Sequence, residues 1–185
     1  PLSASARKCL AQNAVWTAKV AMAQTKENQG CVKDLARENI LGSALDTCLL
    51  ADRRLKMAKL KTGLAAVQAK KCTEIPSFGF LTAAALVDAA AIKGAEALGS
   101  IFSSEASSLI VGASGSATRA TSACQLTVQK FADKILQLQV KEFTSCVKKE
   151  ASDRQDPMAS QARISGCLPV VAEDARGRIA GAIDK

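Results

Sequence analysis

Seven cysteines at wide, regular spacings constrain the fold of this chain more than any other feature of its sequence. No two of them lie within four residues of each other: Cys9, Cys31, Cys48, Cys72, Cys124, Cys146 and Cys167. Zinc, iron–sulfur and thioredoxin-type sites use closely spaced cysteines, so this spacing argues against them. It predicts a disulfide framework formed in an oxidising compartment. The alternative is a cytosolic helical protein with seven buried thiols.

The absence of His excludes a large part of catalytic chemistry. The chain has no His and no Tyr, and a single Trp. Ser-His-Asp triads, haem ligation and the usual zinc and di-iron sites are therefore ruled out. Carboxylates are scattered, and no Gly-rich phosphate loop is present, although a Ser–Lys dyad stays open. We predict a protein that is not an enzyme and has no catalytic residues, metal site or cofactor.

Residues 9–36 and residues 124–151 align without a gap as two copies of one unit. The matches include Cys9 with Cys124, Trp16 with Phe131, Lys19 with Lys134, and Cys31–Val32–Lys33 with Cys146–Val147–Lys148. A further cysteine follows each copy, at Cys48 and at Cys167. Each unit is therefore predicted to be a pair of helices.

Helical periodicity is clearest in the second copy. Its stripe positions recur every three or four residues: Cys124, Val128, Phe131, Ile135, Leu138, Glu142 and Cys146. Two cysteines 22 residues apart in such a helix share a face but lie about 33 Å apart. Their partners must therefore lie on a neighbouring helix.

In the first unit that neighbour is the segment after Gly42–Ser43. A helix from about Ala44 to Lys71 is predicted to run back antiparallel to the first helix. An antiparallel hairpin favours the nested pairs Cys31–Cys48, near the turn, and Cys9–Cys72, at the open end. The 24-residue gap before Cys72 does not fit one straight helix. Either Cys72 lies beyond the helix end, or Gly63 bends the helix.

By analogy, Cys146 is predicted to pair with Cys167. Repeat spacing would place a partner for Cys124 at about residues 189–191, whereas the chain has 185 residues. Cys124 is thus a candidate free or intermolecular thiol; the alternatives are a truncated repeat and a processed precursor. The first residue, Pro1, indicates removal of a preceding segment, which a cleaved secretory signal would explain.

The second unit resembles cysteine-paired helical repeats found in uncharacterised secreted bacterial proteins. The similarity is the pattern C-Q-x(5)-F-x(2)-K, with another cysteine 22 residues after the first and a third beyond a loop. It is carried by Cys124, Gln125, Phe131, Lys134, Cys146 and Cys167. The resemblance implies an exported helical hairpin and implies no known activity.

The segment between the two units is apolar and acidic, whereas its flanks are basic. Between Thr73 and Thr118 the net charge is −3, against +8 for the whole chain. Its longest run without charge, residues 75–87, is shorter than the roughly 20 residues that span a bilayer. We interpret it as a buried central helix, with membrane contact or self-association as the functional alternative. The candidate assembly face is Phe78, Phe80, Leu81, Leu86, Val87, Ile92, Leu98, Ile101 and Phe102.

Basic pairs such as Arg53–Arg54 and Lys148–Lys149 are interleaved with acidic residues. Because aromatic residues are scarce, we expect a solvated face and no nucleic-acid binding. Attraction to an anionic cell-surface polymer is the remaining alternative for these charges.

Together these features predict an all-α protein with two disulfide-stapled antiparallel hairpins, in residues 1–75 and 119–185. Residues 76–118 would supply the apolar helix and linker that join them. We expect a secreted or cell-surface structural protein that self-assembles as a homo-oligomer, for example into a filament or sheath. The alternative functions are a monomeric carrier of a lipid or other apolar ligand, and an adhesin.

Overall fold

A computed structural model describes residues 2–38, 43–102, 110–113, 115–152, 160–167, 174, 177 and 180–183. Its helices are α1 (Ala4–Glu38), α2 (Ser43–Leu50), α3 (Lys56–Lys71), α4 (Ala83–Phe102), α5 (Ser116–Ser152), α6 (Ser160–Ser165) and α7 (Ala180–Ile183). These residues contain no β-strand, and three disulfides join the helices. The predicted all-α, disulfide-stapled fold is confirmed.

The return arm of the first hairpin is two helices, so the prediction of one helix from Ala44 to Lys71 is wrong. The chain leaves the helix between α2 and α3, at residues 51–55. There the Asp52 carboxylate accepts hydrogen bonds from the backbone N–H groups of Met57 (3.1 Å) and Ala58 (2.7 Å). Leu55 adopts a left-handed conformation with φ of 53°. Because the Asp52 side chain bonds the first backbone N–H groups of α3, it favours a new helix start there over continuation of α2 through residue 52.

Gly63 lies inside α3, which is continuous from Lys56 to Lys71, and Cys72 lies just beyond the helix end. A Cβ atom at Gly63 would lie 2.8 Å from Cη2 of Trp16 on α1. The glycine therefore allows α1 and α3 to approach closely where the indole lies between them. Of the two alternatives for Cys72, the structure supports a position beyond the helix end.

The two hairpins pack directly against each other through their long helices. Helices α1 and α5 run antiparallel, because Gln137 lies beside Thr25 and Thr144 lies beside Ala14. The central helix α4 packs mainly on the first hairpin, against α1, α2 and α3. In the second hairpin the described return arm is short: α6 lies along α5, and Cys167 follows a turn at Gly166.

Three apolar clusters form the core. The first surrounds the Cys31–Cys48 disulfide and includes Leu45, Leu98 and Ile110. The second joins α1, α3 and α4, and its members include Val20, Met57, Leu64, Leu86 and Val87. The third lies between the N-terminal half of α1 and the C-terminal half of α5, with Leu10, Val147, Ala151 and Cys167.

The second unit repeats the turn by which the chain enters α3. Asp174 accepts a hydrogen bond from the backbone N–H of Ala180 at 2.8 Å, six residues later, as Asp52 does from Ala58. Gly177 has φ of 61° at the position that matches Leu55. The internal repeat therefore extends beyond the cysteine pattern, into the start of α7.

Candidate functional site

The three disulfides join the cysteine pairs that the sequence predicts. The Cα–Cα distances are 4.6 Å for Cys9–Cys72, 5.8 Å for Cys31–Cys48 and 5.7 Å for Cys146–Cys167. Cys124 has a free thiol and is exposed. Three disulfides in one small chain are consistent with an oxidising, extracellular environment.

The nine residues of the candidate assembly face do not form one surface. Three are buried in the chain's own core, because α4 turns its inner side toward α1, α2 and α3: Leu86, Val87 and Leu98. Four are half-buried: Phe78, Phe80, Ile101 and Phe102. Two are exposed: Leu81 at 48% and Ile92 at 53%.

One of the two exposed members, Ile92, lies on a surface of α4 that also carries acidic residues, whereas Leu81 precedes the helix. We call Asp88, Ile92 and Glu96 the α4 outer face; all three are exposed, and they recur every four residues. Glu96 forms an ion pair with Lys93 at 2.7 Å. This face therefore combines one large apolar side chain, Ile92, with two carboxylates.

A second exposed apolar surface lies on the N-terminal half of α5. We call Cys124, Val128 and Phe131 the α5 outer stripe, because they recur at the helical spacing of four and three residues. Val128 is 49% exposed and Phe131 is 46% exposed. Lys130 and Lys134 are exposed beside the stripe. In contrast to the α4 outer face, this surface is apolar and basic.

The matching surface of the first unit is covered. Cys9, the counterpart of Cys124, is fully buried and bonded to Cys72. Trp16, the counterpart of Phe131, packs against the cluster beneath α3. Among the described residues of the second unit, α6 covers only the end of α5 near Cys146. The α5 outer stripe is therefore a surface that can accept a helix and carries none in the described part of the chain.

The face of α5 that packs on α1 is polar in the N-terminal half of α5. Ser122, Gln129 and Asp133 are buried there, at 2%, 1% and 6% exposure. Gln29 of α1 donates a side-chain hydrogen bond to Asp133. Burial raises the pKa of the Asp133 carboxyl above its ordinary value, and the hydrogen bond from Gln29 partly opposes that shift. We call this contact the polar seam.

Two adjoining cavities open along the polar seam. The smaller, of about 270 Å³, is lined by Gln29, Lys33, Leu126, Thr127, Gln129 and Lys130. The larger, of about 480 Å³, is lined by Gln29, Lys130, Phe131, Lys134 and Gln137. Because they share Gln29 and Lys130, the cavities form one groove between α1 and α5 that combines amide groups with three lysines.

A different groove, of about 430 Å³, lies between α1 and α3. Met22, Ala23 and Leu60 form its apolar lining, and Lys19, Lys26, Lys56 and Lys59 provide its charge. The Lys19 ammonium also lies 4.4 Å from the centre of the Trp16 ring. This lysine groove is chemically suited to an anionic group attached to an apolar body.

Neither groove was identified from the sequence. The four lysines of the α1–α3 groove occur at helical spacings, seven apart on α1 and three apart on α3, a signal that could have identified them. The seam glutamines gave no such signal, because polar residues along a helix are usually solvent-exposed.

Within the described residues, no helix is both long enough and apolar enough to cross a membrane. The same ranges hold no group of three or more Cys, Asp or Glu residues placed to bind a metal ion. A scan against protein-family models, a search of curated proteins and a search of solved structures each found no match to the chain. Function must therefore be argued from the surfaces themselves.

Proposed function

We propose that this protein is an exported, non-enzymatic structural subunit that self-assembles at the cell surface, with the α5 outer stripe of one copy packing on the α4 outer face of the next. The observation that carries the proposal is the exposure of Val128 and Phe131 on one face of α5, next to the free thiol of Cys124. Contiguous exposed apolar side chains of this kind are typical of interaction sites.

The charges of the two surfaces favour contact between different faces rather than like faces. Lys130 and Lys134 flank the α5 outer stripe, whereas Asp88 and Glu96 belong to the α4 outer face. Two copies meeting through their α5 stripes would bring lysines together, which is unfavourable. A stripe placed on the α4 face brings opposite charges together around an apolar centre formed by Phe131 and Ile92.

Contact between two different surfaces leaves one surface of each kind unoccupied at the ends of every open oligomer. Such a heterologous contact produces an open filament when its rotation does not close into a ring. The three disulfides support an exported setting for this assembly, because they suit an oxidising environment.

The first test compares variants by sedimentation velocity and light scattering over a range of protein concentrations. We expect wild-type protein to form oligomers and Phe131→Ala to reduce their formation at least tenfold. Leu50→Ala is the matched control, because Leu50 is a large apolar residue, 60% exposed, outside both surfaces. A wild-type protein that stays monomeric at every concentration, or equal loss in both variants, would contradict the proposal.

The geometry is tested by reversing charge on each face. Asp88→Lys and Lys134→Glu should each weaken assembly, and the double variant should restore it, because the opposite charges would again face each other. Alkylation of Cys124 should block assembly, and assembly should protect Cys124 from alkylation. Disulfide-linked Cys124 dimers that persist in both single variants would indicate contact between like faces and overturn this arrangement.

A second candidate function is favoured by the lysine groove, which suits a carrier of an anionic amphiphile. Four lysines surround an apolar lining, so a carboxylate or phosphate head and an alkyl chain could both be accommodated. Titration with laurate should change the fluorescence of Trp16, and dodecanol, which lacks the charge, should bind at least tenfold more weakly. Equal affinity for the two ligands would exclude recognition by the lysines.

A further inference from the structure

Gln129 is the least satisfied buried polar side chain of the polar seam. It is 1% exposed, and neither its Oε1 nor its Nε2 has a hydrogen-bond partner among the described residues. A buried amide without partners loses its hydrogen bonds to water and gains nothing in return, so a physical reason for its presence is needed. Its position supplies one, because the residue lines the smaller cavity of the α1–α5 groove.

Packing of the two long helices does not require a polar residue at this position. The internal repeat relates α1 to α5, so Gln129 matches Ala14 and Asp133 matches Ala18. At the opposite end of the same helix pair, Ala18 is buried and Ala14 packs against the apolar cluster of Leu10 and Val147. Alanine thus serves at one end of the contact, whereas the other end has an unpaired amide and a buried carboxyl.

The rest of the groove offers hydrogen-bonding and cationic groups. Thr127 supplies a hydroxyl, and Lys33 and Lys130 are exposed at the edge of the cavity that Gln129 lines. The adjoining cavity continues past Lys134 to the partly exposed ring of Phe131. A ligand that fits this groove is elongated, carries hydroxyl groups and negative charge, and presents a face that can lie on an aromatic ring.

We propose that the α1–α5 groove binds an acidic polysaccharide, with a uronate unit of the polymer seated at Gln129. Because both amide atoms are buried in the free protein, the Gln129 side chain turns toward the cavity on binding; its Nε2 then donates to a ring or hydroxyl oxygen, its Oε1 accepts from a hydroxyl, and both atoms become satisfied. Lys33 and Lys130 pair with the uronate carboxylate. Phe131 offers its ring to the next sugar. The groove lies within one chain, but it shares Phe131 with the α5 outer stripe and Lys130 and Lys134 with the flanks of that stripe, so polysaccharide binding and packing of the stripe on another copy compete for these residues.

An acidic polysaccharide fits these groups better than a nucleic acid does. Proteins that bind single strands without sequence preference stack successive bases on several aromatic rings, whereas Phe131 is the one ring that lines the described groove. The neutral amides of Gln29, Gln129 and Gln137 match hydroxyl groups, which recur along every sugar unit.

The test is isothermal titration calorimetry with oligogalacturonate on the intact disulfide-bonded chain. We expect binding by the wild-type protein and at least tenfold weaker binding by Gln129→Ala, which copies the residue found at Ala14. Lys59→Gln is the matched control: it removes a lysine from the α1–α3 groove and leaves the α1–α5 groove unchanged. Neutral dextran oligomers of equal length should bind at least tenfold more weakly than oligogalacturonate.

The same variant separates a binding residue from a structural one. Gln129→Ala removes an unpaired buried amide, so its melting temperature should match or exceed that of the wild type while binding is lost. Unchanged oligogalacturonate affinity in Gln129→Ala, equal loss in Lys59→Gln, or tighter binding of poly(U) than of oligogalacturonate would each overturn the proposal. Loss of binding together with a lower melting temperature would also count against it, because the amide would then be a structural requirement.

Discussion

Replacing Gly63 by Ala tests the close approach of α1 and α3 on which the first hairpin depends. An added Cβ atom would lie 2.8 Å from Cη2 and 3.3 Å from Cζ3 of the Trp16 indole. Trp16 packs against the cluster that contains Val20 and Leu64, so a shift of the ring also disturbs that cluster. We therefore expect Gly63→Ala to destabilise the protein, although alanine is the better helix former.

Two opposing contributions set the magnitude. Replacing Gly by Ala inside a helix stabilises it by about 1 kcal/mol, because Ala loses less backbone entropy on folding. Inserting a methyl group into a well-packed contact costs about 1–3 kcal/mol. The expected net effect at Gly63 is thus a loss of about 0–2 kcal/mol. Gly99 in α4 provides the matched control, since a Cβ atom there would meet nothing within 4 Å.

Urea unfolding followed by circular dichroism gives the stability of both variants, and the fluorescence of Trp16, the only tryptophan, reports the indole environment directly. Gly99→Ala should raise the free energy of unfolding by about 0.5–1 kcal/mol. Gly63→Ala should lie about 1–3 kcal/mol below Gly99→Ala and shift the emission of Trp16. Equal stabilisation by both substitutions would refute the reasoning, because it would mean that the indole does not lie against Gly63.

Three further predictions follow from named contacts. Replacing both Cys9 and Cys72 by Ala should lower the free energy of unfolding by about 4 kcal/mol in the chain-entropy model, since that disulfide spans 63 residues; chemical denaturation measures it. Asp52→Ala should cost about 1 kcal/mol by the same assay, because it removes the cap of α3. Because burial raises the pKa of Asp133, the folded state holds that proton more tightly than the unfolded state. Stability should therefore fall as pH rises from the ordinary Asp value of 3.8 toward the folded pKa, and Asp133→Asn should abolish that fall in melting temperature.

The helices and their covalent connections could be predicted because they depend on local patterns. Cysteines 22 residues apart in a helical stripe must seek partners on another helix, and an antiparallel hairpin leaves one nested pairing. This reasoning identified Cys9–Cys72 and Cys31–Cys48, and analogy between the two units added Cys146–Cys167 and made Cys124 a candidate free thiol. It depends on helical period, chain geometry and the internal repeat, all of which can be read from the sequence.

The break between α2 and α3 could not be predicted in the same way. Asp52 occurs in a run of charged residues that resembles an exposed helix surface, and its role depends on the backbone N–H groups of Met57 and Ala58. Which apolar residues of α4 become buried depends on long-range packing. Leu86 and Ile92 look equivalent in the sequence, but α4 turns only Leu86 toward α1 and α3.

The polar seam shows why the repeat alone could not reveal the candidate sites. Each long helix has one face for its own hairpin and another for the other long helix. The hairpin face carries the same residue types in both units, a cysteine and an aromatic residue, at Cys9 and Trp16 and at Cys124 and Phe131. The seam face is not: Ala14 and Ala18 occupy one end, and Gln129 and Asp133 occupy the other. Since either set permits the helices to pack, the polar set is not explained by the fold. The positions at which the two copies of the unit differ therefore locate the groove. Replacing Gln129 and Asp133 by alanine, the residue found at Ala14 and Ala18, would separate a role in binding from a role in folding.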